Sequence, residues 1–184
     1  MAGRIAIVGG RQVPPVVAAQ VAQVAAALVG RGHTLVTGCA TGADRAAVAA
    51  ALAGHVPLAS LQVLAAFGPQ GQGACQVSAV TTVQAFATRG GLVSWWAGGG
   101  PGVPLRARLS GRAAQVVAAA ESGLVAFQPG RGSWRACRLA AARGLPVVVF
   151  SQALESLGAG QWVPCPGGGV WAAAWCWQPA PSLF

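Results

Sequence analysis

Val36-Thr37-Gly38-Cys39-Ala40-Thr41-Gly42-Ala43-Asp44-Arg45-Ala46 is the stretch whose reading decides the fold. A short apolar run beginning at Thr34 breaks off at Gly38, a second glycine follows at Gly42, and an alanine-rich segment begins at once. Strand, glycine turn and helix in that order are the parts of a parallel βα unit. The turn also raises a question, because the chain has only three acidic side chains and Asp44 is one of them. Thr41-x-x-Asp44 fits the pattern of a helix N-terminal cap, which would account for both residues. Alternatively the turn is one wall of a phosphate site and the carboxylate faces a ligand ribose.

Outward from this unit the same alternation recurs. Arg4–Val8 reads as a strand ending at Gly9-Gly10-Arg11, and Pro14-Pro15 can open a helix, where a fixed φ and a missing N–H do no harm. Val17, Val21, Val24 and Leu28 then repeat at helical spacing until Gly30. Thr34–Thr37 is the second strand and Ala43–Ala53 the second helix. Leu61–Phe67 is a third strand, 68–74 a loop, and Val77–Thr88 a helix. Gly91–Trp96 reads as a fourth strand, and Gly98–Gly102 as a flexible loop. The apolar positions of Leu105–Glu121 mark an amphipathic helix; Leu124–Gln128, Ser133–Arg143 and Pro146–Phe150 follow as strand, helix and strand. The expectation is an α/β fold, a doubly wound and mostly parallel sheet of about six to seven strands in one domain. Residues 1–151 carry this pattern. Residues 152–184 read as an extension packing on the same domain or at an interface, with Gly168–Gln178 as a last strand. From 158 onward it holds four of the seven Trp and no charge.

Composition narrows the function. The net charge is +9, and all twelve basic residues are Arg. Most guanidinium groups therefore lack an acidic partner within the chain, which favours anionic ligands: nucleotides, nucleic acid or acidic surfaces. A charge-poor surface also suggests a homo-oligomer. The five Cys show no C-x-x-C pair and are odd in number, which argues against a disulfide framework and a zinc site. The N-terminus lacks signal-peptide anatomy, and the uncharged stretch 13–30 is interrupted by Pro14, Pro15, Gln20 and Gln23. The expectation is a reduced, cytoplasmic protein with no membrane span, no metal and no cofactor.

Ligands of open parallel sheets bind beyond the carboxyl ends of the strands. Three such ends here carry glycine-rich turns: Gly9-Gly10-Arg11, Gly38-Cys39-Ala40-Thr41-Gly42 after Thr37, and Gly130-Arg131-Gly132-Ser133. Bare backbone N–H groups and helix N-termini suit phosphate, and Arg11 and Arg131 add charge. No G-x-G-x-x-G follows the first strand, so a standard dinucleotide site is not supported. Ser133 reads as the N-cap of its helix. Arg106, Arg108 and Arg112 read as a solvated helix face, with nucleic-acid backbone contact as the alternative. Cys39 is either a small buried thiol or one activated by the helix end. Trp134 is the aromatic best placed to meet a nucleobase. His33 and His55 have no acidic neighbour in sequence and read as structural.

Taken together, strand–Gly-Gly-Arg, Thr-Gly-Cys-Ala-Thr-Gly-Ala-Asp-Arg over Thr37–Arg45, and Leu-Val-Ala-Phe-Gln-Pro-Gly-Arg-Gly-Ser over Leu124–Ser133 resemble the SLOG superfamily. These Rossmann-like proteins include the DNA-processing protein A (DprA/Smf) and Lonely Guy (LOG) phosphoribohydrolase families. Thr37–Arg45 is similar to the T-G-G-A-x-G-A-D-R form of small stand-alone members. The resemblance spans roughly residues 4–151 and implies a phosphate site built from the three turns. It implies a nucleotide or nucleotide-derived ligand held by Gly9–Arg11, Gly38–Asp44 and Gly130–Ser133, without efficient catalysis. In DprA-like proteins the Arg after the first strand meets single-stranded DNA phosphate, and Arg11 holds that position; a DNA binder built on this chain would use Arg11, Arg45 and the 106/108/112 group. In the phosphoribohydrolases the third turn reads P-G-G-x-G-T-x-x-E with a catalytic Glu. Here the turn is one residue shorter and Ala136 stands in the place of that Glu, so a hydrolase would need Glu121 or Glu155 instead.

Overall fold

Arg4–Gly9 (β1) is buried along its centre on both sides, as a near-continuous apolar strand must be when helices cover both faces of its sheet. The computed structural model describes residues 2–181, and in it β1 is the middle of a mixed α/β domain. On one side β1 pairs in parallel with Thr34–Thr37 (β2), and beyond it lie Leu61–Leu64 (β3) and Leu92–Ser94 (β4). On the other side it pairs in parallel with Gly123–Phe127 (β5), which pairs with Val147–Phe150 (β6). Gly160–Pro164 (β7) and Trp175–Pro179 (β8) complete an eight-stranded sheet of order β4-β3-β2-β1-β5-β6-β8-β7. The strand count exceeds the sequence expectation because the tail supplies two antiparallel strands rather than one.

Five helices cover the sheet: Pro15–Gly30 (α1), Ala43–Leu52 (α2), Val77–Thr88 (α3), Leu105–Ala119 (α4) and Arg131–Ala142 (α5). α1 begins on Pro15 and buries Val17, Val21, Val24 and Leu28, the stripe its spacing predicts. Helices α1, α2 and α3 pack one core against the sheet, and α4 and α5 pack a second core on the opposite face. The chain thus runs outward from β1 to β4, returns through α4, and resumes at β5 beside β1. That reversal opens a crevice beyond the carboxyl ends of β1 and β5.

The tail corrects one expectation. Cys165 and Cys176 form a disulfide, so the chain is not wholly reduced. Neither the odd count nor the lack of C-x-x-C could reveal it, because the pairing depends on the β7–β8 register. That register sets Val163 opposite Cys176, and the Cys165 N–H donates to the Ala174 carbonyl at 2.9 Å, so the two Cα atoms come within 5.1 Å. The aromatics of the hairpin pack inward: Trp162 lies edge-on to Trp134 at 6.1 Å and to Trp177 at 5.1 Å. Trp171 stacks on Phe150 at 6.1 Å, and the Arg31 guanidinium lies over the Trp171 ring at 5.8 Å. Reducing the disulfide is expected to cost about 3 kcal/mol through loop entropy alone. Denaturation followed by tryptophan emission, with and without a thiol reductant, reads that loss. No helix among the described residues is long and apolar enough to cross a membrane.

Candidate functional site

The order of the sheet decides which turns meet. Because β1 lies between β2 and β5, the Gly9-Gly10-Arg11 turn is flanked by the other two and hydrogen-bonded to both. Toward β2, the Ala43 N–H donates to the Gly10 carbonyl at 3.1 Å and the Thr41 hydroxyl to the Arg11 carbonyl at 2.9 Å. Toward β5, the Gly10 N–H donates to the Phe127 carbonyl at 2.9 Å and Ser133 Oγ to the Gly9 carbonyl at 2.6 Å. These bonds account for part of the glycine pattern. A Cβ on Gly9 would lie 2.3 Å from the Phe127 carbonyl oxygen, and one on Gly42, where φ is +73°, 2.0 Å from that of Gly10.

Two capping expectations are overturned by the same contacts. Thr41 spends its hydroxyl on the Arg11 carbonyl, and Gly42 occupies the N-cap of α2 with no side-chain cap bond. Ser133 lies inside α5, whose N-cap is Gly130, and its hydroxyl reaches back to β1. Asp44 does something else. Its Oδ2 accepts the Ala40 N–H at 3.1 Å and the Arg112 guanidinium at 3.1 Å, an ion pair with side chains 7% and 11% exposed. Gly38 makes room for it: a Cβ there would lie 1.3 Å from Arg112 Nη1.

The α4 arginines therefore do not form a solvated face. Arg112 is spent on Asp44. Arg108 is 4% exposed and donates to the carbonyls of Ala66 (2.7 Å), Val103 (3.1 Å) and Gly73 (2.6 Å), under the Trp96 ring. The N-terminal half of α4 runs under the loops that follow β3 and β4, so its polar side meets backbone instead of water. Only Arg106 of the three is exposed. Replacing Arg108 with leucine strips three carbonyls of their donor and is expected to cost about 3 kcal/mol of stability. The urea midpoint should fall accordingly, while affinity for any anionic ligand stays within twofold or so, since Arg108 does not reach the surface.

What the crevice does gather is an open groove of about 830 Å³ between α4 and α5, floored by Gly9, Gly10 and Arg11. Its walls carry Arg106 from α4 and Arg131 and Arg135 from α5. Arg135, which the sequence reading omitted, follows Arg131 by one helical turn and so shares its face. Its guanidinium donates to Ser110 Oγ at 2.6 Å, bridging the two walls. The first residues of α5 line the groove, and Gly130 and Gly132 have nothing within 4 Å of where a Cβ would stand. No crowding demands glycine at those two positions, in contrast to Gly9 and Gly42. A backbone left bare beside open space suits close approach by an anion.

The other expected residues lie elsewhere. Thr37 is fully buried and donates to the Ile7 carbonyl at 2.9 Å. Trp134 is 4% exposed, packed against Trp162, and its ring faces the core and not a nucleobase. Cys39 is buried; burial, outweighing the nearby Arg112, pushes its thiol above the ordinary range, so it is not an activated thiolate. Arg45 is exposed but lies on the other side of Arg11, between α1 and α2. Asp44 is the carboxylate that lines the groove. Glu121 instead accepts the Arg4 N–H at 3.2 Å, at the opposite end of β1, and Glu155 pairs with Arg138; neither lines the groove. Among the described residues no group of three or more His, Cys, Asp or Glu could hold a metal ion.

Comparison with known proteins places this geometry. No curated protein sequence matches the chain closely enough to count as a relative. Among the solved structures that share the fold are two DNA processing proteins. One is DNA processing protein A from Helicobacter pylori, described for its single-stranded DNA binding mode: TM-score 0.64, 22% identity, covering 83% of this chain and 67% of that one. The other is DNA processing protein A from Streptococcus pneumoniae, with TM-score 0.63 and 19% identity, covering 85% of this chain and 53% of that one. The chain thus spans about two thirds of the first and about half of the second. The sequence profile of DNA recombination-mediator protein A matches residues 1–160, a span that takes in all three turns and both walls of the groove, and the chain belongs to that family.

Proposed function

We propose that the groove between α4 and α5 binds single-stranded DNA through its phosphate backbone. The observation that carries this reading is the set of exposed arginines around it, Arg11, Arg106, Arg131 and Arg135, in a groove whose one carboxylate is already neutralised by Arg112. The Helicobacter pylori relative, a single-stranded DNA binder of the same fold, supports it. So does the lining itself. Apart from the arginines it consists largely of Gly, Ala, Ser and Leu, with no aromatic side chain on which a free nucleobase could stack. An open groove lined by charge and free of aromatics favours a polyanion over a nucleotide or nucleotide-derived small molecule and makes the recognition tolerant of sequence. A DNA ligand also implies a cytoplasmic protein, where the Cys165–Cys176 bond meets a reducing pool.

Fluorescence anisotropy with a labelled oligothymidylate tests the proposal. With four arginines engaged, log K should fall against log salt with a slope of about −3. Failure to bind any strand at low salt, together with saturable binding of AMP or ADP-ribose, would return the groove to small phosphorylated ligands.

A further inference from the structure

Arg11 faces two open clefts at once, beside a small pocket against Cys39 and Phe67. Besides the α4–α5 groove it lines a second open cleft, of about 850 Å³, between the N-terminal ends of α1 and α2. Gln12, Arg45 and Gln128 line this cleft with it. The ridge between the clefts is the Arg11 backbone, fixed by the Thr41 hydroxyl on its carbonyl and by the Ala43 N–H on Gly10. The Arg11 side chain is exposed above that ridge, free to serve either side.

Three observations mark the second cleft as more than a surface dip. Arg45 is exposed and belongs to neither ion pair of the described residues, Arg112–Asp44 or Arg138–Glu155. No carboxylate lines the cleft, so Arg11 and Arg45 give it a positive lining. Finally, Gln128 holds a φ of +41°, a left-handed conformation that a side chain such as Gln adopts only under constraint. It is held there by its N–H donating to the Phe150 carbonyl at 2.8 Å and by close packing of its own carbonyl on Gly10, where a Cβ would come within 2.7 Å. Glycine would fit that backbone at lower cost, yet the chain places there an exposed amide that lines the cleft.

We infer that a single strand bound in the groove continues over Arg11 into the α1–α2 cleft, where Arg45 meets a further phosphate and Gln12 and Gln128 hydrogen-bond sugar or base edges. This rests on the proposed function and extends it: the ligand is a polynucleotide longer than the groove, with Arg11 at the middle of its path. Both clefts are lined by Arg and lack aromatics, so one backbone-reading mode serves throughout.

The test uses the full chain and oligothymidylates from about 4 to about 20 nucleotides, read by anisotropy. The wild-type protein should gain affinity with length, and the long strand should show a salt slope steeper by about 0.7 than the short one. Arg45→Ala should remove both, a loss of about five- to tenfold on the long strand and none on the shortest. Gln128→Gly should lower affinity for the long strand while the thermal midpoint holds or rises, which separates a ligand role from a structural one. Long-strand binding unchanged in both variants would overturn the inference and leave the groove proposal standing. A wild-type protein that binds no strand of any length would overturn the groove proposal itself.

Discussion

Replacing Asp44 with asparagine is expected to weaken the fold by about 3 kcal/mol and, in the same molecule, to tighten its grip on a nucleic-acid strand. The two effects have one origin. Asn can still accept the Ala40 N–H, but it no longer balances Arg112, whose side chain is 11% exposed and whose Nε is buried without a hydrogen-bond partner. A guanidinium that sheltered and left unpaired is costly, because its charge has lost water without gaining a counter-charge. Arg112 nevertheless lines the groove, so once released from Asp44 it adds a cation to the four around it. Denaturant titration should show the loss of stability, and anisotropy a salt slope steeper by about 0.7. Arg112→Met should destabilise by a similar amount without any gain in binding. The double variant should recover much of the loss, since a neutral and well-packed pair avoids the desolvation that the ion pair offsets. An Asp44→Asn protein of wild-type stability would show that the pair is not what fastens α2 to α4.

Much of this fold is legible in the sequence because its strands are fully apolar and its turns are glycine-rich. β2 and α3 begin and end where the pattern predicts, Thr34–Thr37 and Val77–Thr88. β3 and β4 run shorter than their apolar stretches for a physical reason. Ala65, Ala66 and Phe67 remain buried after the regular ladder stops, tied by single bonds such as Ala65 N–H to the Ser94 carbonyl and Ala97 N–H to the Ala65 carbonyl. Apolar character reports burial, and burial continues past the last paired residue. β7 went unread because an edge strand, half exposed and composed of Gly-Gln-Trp-Val-Pro, has neither alternation nor a continuous apolar run.

The site divides along similar lines. The three turns could be placed on one sheet edge from chain order alone, since parallel strands bring their carboxyl ends together. The fates of Arg108 and Arg112 could not, because helical periodicity sees only which residues share a face and not what that face meets. Arg112 finds Asp44 across 68 positions of sequence, and Arg108 finds carbonyls, which carry no residue identity to read. Trp134 was legible in principle. It starts an apolar stripe with Cys137 and Ala140, both fully buried, and that spacing points the ring to the core.

Arg11→Ala is expected to lower affinity for a single strand by about thirtyfold while leaving the fold within about 0.5 kcal/mol of wild type. The contrast follows from how Arg11 is held. Its backbone carbonyl is fixed by the Thr41 hydroxyl, and truncation at Cβ leaves that bond intact; its side chain is exposed and in neither ion pair, so removal strands no buried partner. Binding suffers more than from any wall arginine because Arg11 lines both clefts, and its loss interrupts the path at the middle. Arg131→Ala or Arg135→Ala should cost about fivefold each, the contribution of one phosphate contact at a groove wall. Arg11→Lys sharpens the point. It keeps the charge, and with it the salt slope, but lacks the planar fork that can hold two phosphate oxygens at once, so affinity should recover only in part. Equal losses from Arg11→Ala and from a wall arginine would mean that the strand follows one cleft alone and that Arg11 is an ordinary member of its rim.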